Sequence, residues 1–198
     1  MLCHKYLFLY TPKEVFMTTQ NPSMHLTVEE TARNLAAFAV DRTDLKTILQ
    51  SLPAESGLNR VTLEYELGIL KILTVGWGIS FFMPVSDKNK PILSDAFWQM
   101  IQEFSQNIST LTETTTGQPI DYFKILKERL DTYVEQMKTT SNDTIDPSAV
   151  MGPAFARACG DPDNPVAMLT GSRMFSLTLG GVKEYLAAVT IKPVTPGQ

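Results

Sequence analysis

The chain has 198 residues, 43% of them hydrophobic and 19% charged, which is ordinary for one globular domain that needs no disulfide or metal to stabilise it. Its formal net charge is −4 and its lysines and arginines are scattered, which argues against direct binding of nucleic acid. The two cysteines, Cys3 and Cys159, form neither a disulfide framework nor a paired metal site, so we expect a reducing, cytoplasmic location.

The N-terminal stretch MLCHKYLFLY is apolar but too short for a secretory signal peptide, and no small-residue cleavage site follows it. The polar stretch that begins at Met17 resembles an ordinary start of translation, so Met1, Met17 and Met24 are alternative start sites. Residues 1–23 are therefore predicted to be a flexible or arm-like segment.

Capping and breaking residues mark the first two helices. LTVEETARNLAAFAV opens with Thr27, and Glu30 follows three residues later, which predicts a capping box. TDLKTILQSL predicts a shorter helix that ends at Pro53 and Gly57. This second helix carries a single lysine, which is too little positive charge for a DNA-binding helix-turn-helix.

ELGILKILTVGWGISFFMP, from Glu66 to Pro84, belongs to a predicted third helix over about 59–82. A membrane span needs about 20 mainly apolar residues, so the length is nearly sufficient. Lys71 lies inside the stretch, however, and a lysine at the bilayer centre costs about 2.5–3.5 kcal/mol. Because a helix that is apolar on nearly every side is typical of the centre of a bundle, we predict a core helix and no membrane span.

One narrow stripe of this helix combines charged residues with glycines, and it consists of Arg60, Glu64, Gly68, Lys71, Val75, Gly78 and Phe82. In one interpretation, the charged side chains reach solvent and the glycines let another helix come close. In the other, the stripe lines a mainly apolar ligand cavity, with Glu64 and Lys71 as its polar groups and Trp77 nearby.

Two amphipathic helices are predicted next. The fourth begins with Ser94 as its N-cap and places a seam against another helix, formed by Phe97, Ile101, Phe104, Ile108 and Leu111. TETTTGQP is predicted to be a loop. A fifth helix, from about Ile120 to Met137, then pairs with the fourth as an antiparallel hairpin.

The last fifty residues give weaker signals. DPSAVMGPAFARACG predicts a helix broken near Gly152–Pro153, and NPVAMLTG predicts a short helix with Asn164 as its cap. RMFSLTL alternates between apolar and polar residues, which leaves open a minor β element at 173–179, and GVKEYLAAV returns to a helical pattern.

Together these patterns predict an all-α fold, a single-domain bundle of six to seven helices around the central apolar helix. The helical domain is predicted to occupy residues 24–192, followed by a frayed tail at 193–198.

No motif predicts catalysis, a metal or a cofactor. ACGDPDNP resembles the opening of a calcium loop, but Val166 and Ser172 stand where such a loop needs glycine and glutamate. A nucleophilic role for Cys159 would need a histidine base, and the only histidines are His4 and His25 near the N-terminus.

Two functional hypotheses from different classes remain. The favoured one is a non-enzymatic cytoplasmic protein that acts through protein–protein interaction, including self-association as a homodimer. The alternative is a small-molecule-binding protein or enzyme with a largely apolar pocket against the central helix, lined by Glu64, Lys71, Trp77, Arg157 and Arg173. A large exposed apolar patch would support the first hypothesis, and an enclosed cavity with converging polar groups and a perturbed pKa would support the second.

Overall fold

Seven helices and two short strands make up the part of the chain that the computed structural model describes, residues 24–53, 55–140 and 147–192. The all-α bundle with a minor β element is therefore confirmed. The predicted N-terminal arm (1–23) and C-terminal tail (193–198) lie outside the described residues. The elements are β1 Met24–Leu26, α1 Val28–Val40, α2 Thr43–Gln50, α3 Arg60–Phe82, α4 Asn89–Thr116, α5 Tyr122–Thr140, α6 Pro147–Ala158, α7 Pro165–Ala188 and β2 Val189–Ile191.

The helix α3 is the centre of the bundle, because it contacts each of the other six described helices. Its N-terminus is capped by Asn59, whose side chain accepts hydrogen bonds from the backbone N–H groups of Val61 and Thr62 at 3.0 and 3.1 Å. Residues on every side of α3 are buried, as the sequence predicts. The middle of α3 is therefore covered by its neighbours, while Val61 and Phe81 near its two ends are exposed.

Among the described residues, α3 is the one helix that is long and apolar enough to cross a membrane by length and composition. In the bundle, 67% of its most apolar window is buried. The apolar surface of α3 is thus mostly covered by the neighbouring helices, which is consistent with a soluble protein.

Two glycines of α3 allow close approach of neighbouring helices. A Cβ atom on Gly76 would lie 2.5 Å from Cζ2 of Trp98 on α4, and one on Gly78 would lie 2.6 Å from Cγ1 of Val182 on α7. Both distances are too short for an ordinary contact, so side chains at these positions would push the helices apart. Of the two glycines in the predicted stripe, Gly78 thus allows a close helix contact, whereas a Cβ atom on Gly68 would meet only Cδ2 of Leu45 at 3.8 Å.

The predicted start of the fourth helix at Ser94 is wrong, since α4 begins five residues earlier. Its N-cap residue, Lys88, makes no side-chain capping bond, but the side chain of Asp87 accepts a hydrogen bond from the backbone N–H of Asn89, the first residue of α4, at 2.8 Å. Pro91 lies in the first turn, where backbone N–H groups have no acceptor within the helix, so the N–H that proline lacks costs no helical hydrogen bond.

The C-terminal end of α4 also differs from the prediction, because most of TETTTGQP is helical and not a loop. The hydroxyls of Thr114, Thr115 and Thr116 each donate to a carbonyl four residues earlier. The helix ends at Gly117, whose φ of 71° is in the left-handed region that favours glycine.

The predicted break near Gly152–Pro153 is wrong, because α6 continues through Pro153. Met151, Ala154 and Phe155 are buried on either side of the proline. The packing of these residues holds α6 in place despite the hydrogen bond that proline removes.

The predicted β element at 173–179 is also wrong, because these residues lie inside the long helix α7. Met174, Thr178 and Val182 are buried at intervals of four residues, which is helical spacing. The minor β element is instead the parallel pair β1 and β2, with Met24 opposite Val189.

Candidate functional site

A cavity of about 360 Å³ lies between α1, the start of α2, α3, α4 and the start of α5. Ligand cavities in proteins occupy roughly 300–1,000 Å³, so this one has room for a small molecule. Its lining is mostly aliphatic and aromatic, and it consists of Ala39, Val40, Asp41, Arg42, Leu45, Glu64, Tyr65, Gly68, Ile72, Phe104, Ile108, Thr112, Ile120 and Tyr122.

The helix register gives this cavity one polar end and one apolar end. Along α3 the lining runs from Glu64 to Ile72, which is about 12 Å at 1.5 Å per residue. α4 runs in the opposite direction, since Trp98 near its start meets Gly76 near the end of α3. Thr112 therefore lies at the Glu64 end, and Phe104 lies at the Ile72 end. Such a cavity suits a molecule with an apolar body and a polar head.

Arg42 and Glu64 form an ion pair at the polar end of the cavity. Arg42 follows the C-terminal end of α1, and its side chain is 61% exposed, whereas that of Glu64 is 32% exposed. Solvent screens such a pair, so it contributes little to folding stability. The other N–H groups of the guanidinium make no hydrogen bond with the described residues, and they remain available as donors.

Two tyrosine rings, Tyr65 and Tyr122, meet edge to face beside this ion pair, with their centroids 5.8 Å apart. Burial, followed by the nearby Glu66 carboxylate, raises the pKa of Tyr65. Burial raises the pKa of Tyr122 as well, Tyr65 and Glu66 raise it further, and Arg42 partly opposes the rise. Both phenols are therefore neutral at physiological pH and can donate hydrogen bonds.

The hydroxyl of Tyr122 is notable because the residue is only 5% exposed. Its backbone N–H donates to the Ser109 hydroxyl at 3.1 Å, which fixes the start of α5 against α4. The phenol oxygen has no hydrogen-bond partner among the described residues, although the residue lines the cavity. An acceptor placed in the cavity would supply that partner.

Lys71 lies behind the cavity wall and does not line it. Its side chain is fully buried, and Nζ donates to the backbone carbonyl oxygen of Asp41 and to Oδ2 of Asp44, both at 2.9 Å. The ring of Phe38 lies 4.5 Å from the ammonium. Lys71 thus holds the corner between α1 and α2, which carries Asp41 and Arg42 to the cavity.

The five residues predicted to line a pocket are not brought together. Glu64 lines the cavity, and Lys71 supports it from behind. Trp77 is packed edge to face against the rings of Tyr133 and Phe175. Arg157 is exposed on α6. Arg173 is exposed on α7 and donates to the Ser51 hydroxyl at 3.4 Å.

Sequence reasoning missed Arg42, Tyr65 and Tyr122 as site residues. Arg42 and Tyr122 lie at helix ends that are far apart in the chain and meet only in the folded bundle. One local signal existed, because Tyr65 adjoins Glu64 and precedes Gly68 by three residues, which is one turn of α3.

A second buried polar cluster lies on another side of α3. Glu66 is 2% exposed and accepts two hydrogen bonds from Arg129, from Nε at 2.9 Å and from Nη2 at 2.7 Å. The hydroxyl of Tyr133 is buried without a partner among the described residues. Burial, with the nearby Glu66 carboxylate, raises the pKa of the Cys159 thiol to about 12. A thiol with such a pKa is protonated and unreactive at neutral pH.

Comparison of the chain with protein-family models, curated proteins and solved structures gave no match. Among the described residues, no group of three or more His, Cys, Asp or Glu side chains is placed to hold a metal ion. The cavity between α1, α3, α4 and α5 is therefore the feature from which a function is best inferred.

Proposed function

We propose that this protein binds a small, mainly apolar molecule in the cavity between α1, α3, α4 and α5. The observation that carries the proposal is the cavity itself, with an apolar end near Ile72 and Phe104 and a polar end at Arg42 and Glu64. The raised pKa values of Tyr65 and Tyr122 add the perturbed titratable groups that are common at functional sites.

Binding without catalysis fits the lining better than an enzyme does. The lining residues include no cysteine, serine or histidine, which are the usual nucleophiles and bases of covalent catalysis. Its two carboxylates are already engaged, since Glu64 pairs with Arg42 and Asp41 accepts hydrogen bonds from Thr43. We propose a carrier or sensor of its ligand, working in the cytoplasm.

Protein–protein interaction, including self-association, stays a prediction. Leu169 and Leu177 are 71% and 53% exposed on one face of α7, but the exposed Arg173 lies between them. A charged residue within the row interrupts the apolar surface that a docking partner would cover. The cavity therefore supports a function better than the exposed leucines of α7 do.

The proposal is tested by isothermal titration of 1-decanol into the wild type and two glycine variants. A Cβ atom on Gly68 would meet only Cδ2 of Leu45 at 3.8 Å, so Gly68→Leu places its side chain in the cavity without a clash at Cβ. The matched control is Gly180→Leu, at an exposed position on α7 where an added Cβ meets no atom within 4 Å.

Wild type and Gly180→Leu are expected to bind 1-decanol with similar affinity, and Gly68→Leu is expected to lose at least about tenfold in affinity, since the added side chain occupies the ligand's space. Circular dichroism confirms that each variant is folded. Absence of binding to the wild type, or equal binding to Gly68→Leu, would overturn the proposal.

A further inference from the structure

We infer that the ligand of this cavity is a carboxylic acid with an apolar body, of the medium-chain fatty acid class, held at its carboxylate by Arg42 and Tyr122. This inference rests on the proposed binding function and specifies its ligand. It is based on hydrogen-bond donors at the polar end of the cavity that have no partner among the described residues.

The guanidinium of Arg42 provides most of the unused donors. It contacts Glu64 through Nη2 alone, and its other N–H groups bond to none of the described residues. A guanidinium presents its donors in a planar fork that matches the two oxygens of a carboxylate. The free edge of Arg42 therefore favours a planar, acceptor-rich head group.

The hydroxyl of Tyr122, on a mostly buried residue of the cavity lining, adds a second donor. Tyr122 is only 5% exposed and lines the cavity. Its phenol oxygen has no hydrogen-bond partner within the described ranges. Because burial raises the pKa of this phenol, it stays protonated at neutral pH, where a carboxylic acid is ionised, and can donate to the anion. Arg42 and Tyr122 line the same cavity, so one ligand head group can meet donors from both.

Three carboxylates lie near the cavity, and Asp41, which lines it, accepts hydrogen bonds from Thr43 and lies 4.0 Å from the Lys71 ammonium. Glu64 is paired with Arg42, and Asp44 is paired with Lys71 behind the wall. A ligand carboxylate on the free edge of Arg42 would share this guanidinium with Glu64, whose side chain is partly exposed to screening solvent. An ammonium head would instead face the Arg42 charge and would leave the Tyr122 hydroxyl without an acceptor.

The apolar part of the ligand follows from the rest of the lining. Ile72, Phe104 and Ile108 offer carbon surfaces and no polar side-chain atom, and the cavity extends about 12 Å along α3 from Glu64. An unbranched alkyl chain fits such a narrow space between two antiparallel helices. The carboxylate and the chain together define the class of ligand.

The test compares three ligands that share one chain, sodium decanoate, 1-decanol and decylamine, by titration calorimetry at pH 7.5 with the intact protein. Decanoate is expected to bind at least about tenfold more tightly than 1-decanol, because charge-assisted hydrogen bonds are about twice as strong as neutral ones. Its advantage is expected to shrink as salt is added.

Arg42→Gln and Tyr122→Phe are each expected to lower the affinity for decanoate by a larger factor than the affinity for 1-decanol, because only decanoate brings a charge to these donors. Arg33→Gln, at an exposed position on α1, is the matched control and should bind all three ligands as the wild type does. Circular dichroism and thermal unfolding show whether the two variants are folded, and equal losses of affinity for decanoate and 1-decanol would contradict the assigned carboxylate contacts.

If 1-decanol binds in a manner that Gly68→Leu abolishes, but decanoate binds no better or decylamine binds best, this inference is overturned and the proposed function stands. If none of the three ligands binds to the wild type, both the inferred ligand class and the proposed function are overturned.

Discussion

The ammonium nitrogen Nζ of Lys71 lies 2.9 Å from the carboxylate oxygen Oδ2 of Asp44, although the lysine side chain is fully buried and the aspartate side chain is 43% exposed. The pair joins the middle of α3 to the first turn of α2. It shows how a charged residue inside the most apolar helix is tolerated, because its partner reaches in from the surface.

This asymmetry predicts unequal effects of removing the two partners. Asp44→Ala is expected to lower the free energy of unfolding by about 2–3 kcal/mol, less than for a fully buried pair because the Asp41 carbonyl still accepts from Lys71. Lys71→Met should cost less, since methionine fills much of the volume and water solvates the freed Asp44. Urea unfolding measures both values.

Asp163→Ala is the control for this pair, because Asp163 is exposed and makes no ion pair in the described part of the chain. A larger loss of stability for Lys71→Met than for Asp44→Ala would show that the buried charge itself stabilises the fold.

The pair of Glu66 and Arg129 has the reverse arrangement, with the carboxylate buried and the cation 30% exposed. Arg129→Met leaves Glu66 buried without its partner, and we expect a loss of about 3–5 kcal/mol in the free energy of unfolding. Lys124→Met is the control, since the Lys124–Glu128 pair is exposed, and it should change stability by less than about 0.5 kcal/mol. The double variant Glu66→Leu, Arg129→Met should recover most of the loss.

If Arg129→Met lowers the free energy of unfolding no more than Lys124→Met does, water must solvate the Glu66 carboxylate in place of the arginine. Urea unfolding of the three variants, measured in parallel, separates these cases.

Two alanine substitutions on α3 should change stability in opposite directions. Gly76→Ala brings a methyl group within 2.5 Å of the Trp98 ring, and we expect a loss of about 1–3 kcal/mol from overpacking. Gly68→Ala meets only Leu45, at 3.8 Å, and should stabilise the protein by up to about 1 kcal/mol through its better helix propensity. Thermal unfolding measures both, and a destabilised Gly68→Ala would argue against the open space beside Gly68.

Tyr133 carries a buried hydroxyl without a partner within the described ranges, so its removal should stabilise the protein. Tyr133→Phe is expected to raise the free energy of unfolding by about 1 kcal/mol, because the variant no longer buries a hydroxyl group that lacks a hydrogen-bond partner. Tyr185→Phe is the matched control, because the Tyr185 hydroxyl accepts a hydrogen bond from Asn34 at 3.0 Å and its loss should be slightly destabilising.

Tyr133 also predicts a pH dependence, whose sign follows from burial. Because burial raises its pKa above the ordinary value of 10.0, the unfolded state loses this proton first as the pH rises. Titration of Tyr133 therefore leaves the free energy of unfolding unchanged below about pH 10 and lowers it as the pH rises further, so Tyr133→Phe should flatten the fall in melting temperature between pH 9 and pH 11, a window set by that ordinary value. An unchanged slope would mean that Tyr133 titrates normally in the fold.

Local signals predicted the elements that depend on local chemistry. The capping box of Thr27 and Glu30 is present, Asn164 caps the helix that begins at Pro165, and the apolar stretch from Glu66 is the central helix. Each of these features is decided within a few residues, by a side chain that meets its own backbone or by periodic burial.

The errors lie where tertiary packing decides the outcome. Pro153 does not break α6 because its neighbours are buried, and the alternation at 173–179 is overridden by the helical burial of α7. The site was predicted only through Glu64, since Arg42 and Tyr122 reach the cavity from helix ends that no sequence pattern brings together. Lys71 was expected to reach solvent or a ligand, and it instead meets Asp44.

The most direct test of ligand binding in the cavity is a methyl NMR titration of isoleucine-labelled protein with decanoate and with 1-decanol. We predict that the methyl signals of Ile72, Ile108 and Ile120, which line the cavity, shift together and saturably with at least one of the two ligands. The signals of Ile48 and Ile101, which are buried elsewhere in the core, should not move. If the three cavity signals stay fixed while either ligand is added to its solubility limit, or if Ile48 and Ile101 shift equally, the cavity is not a ligand site.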